Sequence, residues 1–244
     1  MMFLSNRTLG EVVKVQVKFK LNAYMSAFMG LIIVQILGIF ISLDGTNSMG
    51  SGWNNISVNV SLVSNDLIFL FVAIWAFFVG HLMTTKAYLY DDFSFVTTRL
   101  SSNLANIIVL FLMSLFAGAT SILTNYVGRV ILLLFDKVDY MRSPGLLDDP
   151  LSSILNFIVV TLLILTIASS GYLVGMLTQK NKLLLLFLPV IVIGLLMADL
   201  WPTVLQFLFY ENVSMWIFLV KLLIITITCF ALAIVSSNRL EVRP

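Results

Sequence analysis

A chain of 244 residues that is 60% hydrophobic, only 11% charged and has a mean hydropathy of +1.05 is not a soluble domain, because soluble domains carry about a quarter charged residues. Its formal net charge of +2 gives no case for nucleic acid as a partner. The one cysteine, Cys229, sits in an apolar run, which excludes an internal disulfide and argues against a thiolate metal cluster. The composition is that of a polytopic membrane protein.

Residues 1–22 are polar enough to stay out of the hydrocarbon. Arg7, Glu11, Lys14 and Lys18 recur at helical spacing as a charged stripe, with Leu4, Val12, Val15 and Phe19 near the opposite face. Gln16 and Lys20 spoil that pattern, and the alternation from Val13 to Leu21 also fits a strand. The preferred reading is an interfacial helix on the inner leaflet. No clean small-x-small cleavage pattern follows the first apolar run, so that run is expected to be a retained span.

A helix needs about 20 residues to cross the hydrocarbon core. Six stretches meet or approach that length: Ala23–Leu43, Asp66–Thr84, Asn103–Tyr126, Ile154–Thr178, Leu183–Leu200 and Ser214–Val235. The fold class expected is therefore an all-α membrane protein, one transmembrane domain over 1–244 with six transmembrane helices. Basic residues orient it. With the N-terminus inside, ten of the fourteen lie in cytoplasmic segments: Arg7, Lys14, Lys18, Lys20, Lys86, Arg99, Lys180, Lys182, Arg239 and Arg243. That bias places both termini in the cytoplasm.

The connections differ in character. Asp44–Asn65 is rich in Gly, Ser and Asn and reads as a flexible outer loop. Tyr88–Ser102, YLYDDFSFVTTRLSS, is a polar segment between the second and third spans with aromatic residues at roughly helical spacing; it reads as a short cytoplasmic helix. Within Tyr126–Pro150, Val127–Phe135 is apolar enough to lie on the outer surface. Trp201–Val213 is apolar but too short to cross and return, which suits a short re-entrant or interfacial helix between spans five and six.

No P-loop, H-E-x-x-H or G-x-S-x-G motif occurs, so neither ATP hydrolysis nor the common hydrolase chemistries are expected of this chain. His81 is the only histidine and is read as interfacial. Charges near the membrane are few. Asp199 and Lys221 fall at similar shallow outer depth. The preferred reading is that Lys221 snorkels to the headgroups and Asp199 is interfacial; the sharper one is that Asp199, Glu211 and Lys221 form a candidate extracellular gate. Gly171 with Gly175, and Ser114 with Gly118, have the small-x-x-x-small spacing that lets membrane helices approach closely.

Six spans, an amphipathic N-terminal helix, a polar helical link after span two and an apolar half-hairpin before span six resemble the membrane subunits of ABC type-2 exporters. The stretch Asp91–Leu104, DDFSFVTTRLSSNL, carries the sequence-level part of that resemblance. The resemblance implies a permease without catalysis of its own. It implies dimerisation with a second permease, identical or not, and a separate P-loop ATPase subunit that binds ATP and Mg. The link would be the coupling helix, with Asp91, Asp92, Phe93, Phe95, Thr97 and Arg99 contacting the ATPase. The location would be the cytoplasmic (plasma) membrane. Uncharged spans favour an amphipathic or lipid-like cargo: a peptide, toxin or drug. The alternatives are a self-contained secondary transporter, a membrane-embedded enzyme, or an assembly or regulatory protein.

Overall fold

The computed structural model describes residues 8–44, 47–53, 56–62, 66–85, 98–134, 149–180 and 214–238. Helix α1, Leu9–Ala23, follows Thr8, whose extended backbone (φ −68°, ψ 151°) offers its carbonyl to the amides of Glu11 and Val12. Glu11 in the first turn and Lys20 in the last both suit the helix dipole. Tyr24 alone breaks the helical path before α2, Met25–Asp44.

Two antiparallel strands come next, β1 (Asn47–Trp53) and β2 (Ile56–Leu62), paired from Asn47 with Leu62 to Trp53 with Ile56. The expected flexible loop is thus largely a hairpin. β-Branched residues alternate through Ile56, Val58 and Val60.

Helix α3, Asp66–Leu82, is apolar but short at 17 residues, about 25 Å long. Helix α4 runs from Arg99 to Leu134, 36 residues or about 54 Å, and so exceeds the expected span at both ends. The apolar stretch after Tyr126 is therefore no separate surface piece through Leu134 but a continuation of α4. Thr98 starts the helix: its hydroxyl accepts the Ser101 amide at 3.3 Å and its carbonyl accepts the Ser102 amide at 3.2 Å. Helix α5, Pro150–Lys180, begins with proline in its first turn behind Asp149, whose carboxylate accepts the Ser152 amide. Helix α6 covers Met215–Asn238. Among the described residues four helices, α2, α4, α5 and α6, are long and apolar enough to cross a membrane. The expected span Leu183–Leu200 and the segment Trp201–Val213 lie outside the described residues.

Helix α5 is the hub, packing most extensively on α3 and then on α6 and α4; α2 packs on α3 and α4, and α1 packs mainly on α4. Leu31, Val72, Val109, Ile164, Tyr172 and Ala233, from five helices, are fully buried. The outer surface stays apolar, with Met29, Phe40, Phe78 and Ile227 exposed, as suits a bundle facing lipid rather than water. Phe28 meets Phe116 edge to face at 5.1 Å, joining α2 to α4. On the same seam Gln35 donates to the Thr120 hydroxyl at 2.9 Å and accepts from that of Thr124 at 3.3 Å. Thr120 also back-bonds to its own helix. Gln35→Leu should therefore cost little, about 0.6 kcal/mol by the average for polar contacts in membranes, readable by thermal unfolding in detergent.

Candidate functional site

The face of α1 that packs on the bundle is Val13, Gln16 and Lys20, while Val15 and Phe19 are exposed. The two polar residues that spoiled the amphipathic pattern are thus its inward face. The expected membrane-facing stripe is still outside, beside exposed Lys14 and Lys18. The reason is that α1 lies against α4, and α4 begins with polar side chains: Ser101, Ser102, Asn103 and Asn106 are all buried.

A directed chain of hydrogen bonds results. The Lys20 ammonium, 4% exposed, donates to Asn106 Oδ1 and, at 3.4 Å, to Ser102 Oγ. An ammonium only donates, so Asn106 turns its oxygen toward α1 and its Nδ2 toward Tyr172 Oη, 3.2 Å away. The Tyr172 hydroxyl then donates to Asn103 Oδ1 at 2.9 Å. The relay joins α1, α4 and α5, and Asn103 and Asn106 reach one hydroxyl because three residues separate neighbours on a helix face. Asn103 Nδ2 ends the relay with no partner among the described residues, and the same holds for both polar atoms of the nearby Gln16 amide.

Arg99, the first residue of α4, donates from Nη1 to the Ser237 carbonyl in the last turn of α6 at 3.2 Å. A cation on the last carbonyls of a helix is favourable by hydrogen bond and dipole alike. Asp91, Asp92, Phe93, Phe95 and Thr97 lie outside the described residues, as do Asp199 and Glu211. Lys221 is half-buried near the start of α6.

The small residues lie on the α5 seams. A Cβ at Gly171 would overlap the Phe77 carbonyl oxygen, and one at Gly80 would overlap the Ala168 carbonyl oxygen. A Cβ at Gly175 would strike the Thr84 hydroxyl and lie 3.1 Å from His81 Nδ1. Gly118 is similarly closed by the Thr161 hydroxyl, and Ser114 is buried on the same helix. Gly80 was not singled out from the sequence, although Ala76, Gly80 and Thr84 repeat at four-residue spacing and signal a close face. The relay residues carried a fainter signal: two asparagines three apart at the start of an apolar run. Among the described residues no three His, Cys, Asp or Glu side chains gather as a metal site.

The fold and its polar junction define a membrane-embedded helical protein. No protein-family model, curated protein or solved structure gives a significant match to the chain.

Proposed function

We propose that this chain is the membrane-spanning permease of an ABC type-2 exporter. It would work in the cytoplasmic membrane with both termini inside, paired with a second permease and driven by a separate P-loop ATPase. Its cargo would be an amphipathic or lipid-like molecule, a peptide or toxin being the favoured class. The observation that supports this reading is the set of ties at the start of α4. Within its first two turns α4 holds α1 through Lys20, α5 through Tyr172 and α6 through Arg99 and Ser237. The cytoplasmic link, 86–97, feeds directly into that junction. A push on the link would reach three other helices through buried and part-buried hydrogen bonds rather than through one flexible joint.

The test is affinity purification of the tagged chain from its native membrane. A P-loop ATPase should co-purify, and Phe93→Ala with Asp92→Asn should lose it while the permease keeps its thermal stability. Arg99→Ala is scored separately, because its bond to Ser237 gives it an internal role. Absence of any ATPase, or full binding and full stimulation of ATP hydrolysis by the double variant, would defeat the reading.

A further inference from the structure

The two amide side chains at the α1–α4–α5 junction point to the chemistry of a ligand. Gln16 is 2% exposed, and among the described residues neither its Nε2 nor its Oε1 has a hydrogen-bond partner. Asn103 is 3% exposed, and the Tyr172 hydroxyl on its Oδ1 fixes the amide, so that Nδ2, which has no partner among the described residues, is held in place. Buried amides left unpaired are costly and few in native proteins. Gln16 lies four residues before Lys20 on the same buried face, and Asn103 lies three before Asn106 on α4. Both therefore sit one turn from the Lys20–Asn106 bond.

A primary amide with donor and acceptor both open complements another amide, taking one C=O and one N–H from it. Asn103 adds a donor for a second carbonyl. We propose that this junction binds the main-chain amides of a peptide-like amphiphile. The inference rests on the exporter reading and gives its cargo a recognised group.

The junction has a way to open. Among the described elements, helix α1 packs chiefly on α4 and only slightly on α2, and it is joined to α2 by the single non-helical residue Tyr24. A tilt of α1 about Tyr24 moves Lys20 least and Gln16 more, so the seam parts first beside the unpaired amide. Recognition through main-chain groups is indifferent to cargo side chains, which would meet the lipid and the apolar helix faces instead.

The probe is N-dodecanoyl-Leu-Gly-Leu-amide, compared with the analogue in which one internal N–H is replaced by an ester oxygen. Binding to the purified chain in lipid nanodiscs is measured by titration calorimetry. The wild type should bind the amide about tenfold more tightly than the ester, the loss expected for one hydrogen bond. In Gln16→Met the two should bind equally, with thermal stability unchanged or raised because no partner is lost. Asn103→Leu should also weaken the amide, but it removes a partner of Tyr172, so Gln16→Met is the decisive variant. Failure of the wild type to bind, equal affinity for amide and ester, or an undiminished preference in Gln16→Met would each overturn the proposal. No ATPase is present in this assay, so its failure leaves the co-purification result standing.

Discussion

Gly171→Leu is expected to leave no folded protein, and Gly171→Ala to lower the unfolding temperature sharply. A Cβ there would overlap the backbone oxygen of Phe77, and the reciprocal site Gly80 faces the backbone oxygen of Ala168, with Tyr172 N 2.9 Å from the added carbon. Side chains can rotate away from an intruding methyl group, but these obstacles are main chain. Ordinary overpacking costs about 1–3 kcal/mol. With α3 backbone against α5 backbone, each alanine should reach the top of that range, and Gly80→Ala with Gly171→Ala together should abolish the fold. In lipid there is little hydrophobic drive to hold helices together, so close contact is what joins them. Gly175→Ala should be milder, since the Thr84 hydroxyl it meets belongs to a side chain that can turn. Gly128 is the control: a Cβ there meets nothing within 4 Å among the described residues, and alanine in a helix interior should add about 0.5–1 kcal/mol. Thermal unfolding and the monodisperse yield of the variants decide it. A wild-type unfolding temperature for Gly171→Ala would show that the two helices are not this close.

Asn106→Leu should be the most damaging single change in the polar junction. It removes an acceptor from a buried ammonium and a donor from the Tyr172 hydroxyl at one stroke. Taking a partner from a buried charge costs about 3 kcal/mol or more. Tyr172→Phe breaks two neutral bonds and should cost about 1–3 kcal/mol. Lys20→Met deletes the charge along with its demand for partners and should be milder than Asn106→Leu. The double variant Lys20→Met with Asn106→Leu should therefore cost clearly less than the two singles combined. A double-mutant cycle in detergent measures this; additivity to within about 0.5 kcal/mol would mean that the residues do not act as a unit.

Much of the helical framework was legible because a membrane span is a length requirement, and apolar runs of about 20 residues stand out in any sequence. Helix ends were less legible. Hydropathy marks where hydrocarbon stops, not where hydrogen bonding stops, so α4 continues through Arg99 at one end and Leu134 at the other. The hairpin was hidden by its Gly, Ser and Asn content, which signals turns more loudly than Ile56, Val58 and Val60 signal a strand. Helix α1 was found, and Val15 and Phe19 stay on its outside as expected, but its inward face was missed. Its amphipathic pattern was weighed against lipid alone, whereas Gln16 and Lys20 answer polar residues of α4. Those lie more than eighty positions downstream, as the separations of 82 and 86 residues between Lys20 and its partners show. No local window can display such complementarity. The gate of Asp199, Glu211 and Lys221 belongs only in part to the described residues.

Those separations also set an order of assembly. At about 5–20 residues per second, the ribosome adds Asn106 roughly 4–17 s after Lys20, and Tyr172, 66 positions further on, later still. During that interval the ammonium can stay hydrated at the bilayer surface, and α1 has no α4 to rest on. Its docking reports that the third apolar helix after it has been inserted in the right direction. Helix α1 is thus made well before the helix it docks on and seated late, and a quality-control factor that reads an undocked α1 would recognise an unfinished chain.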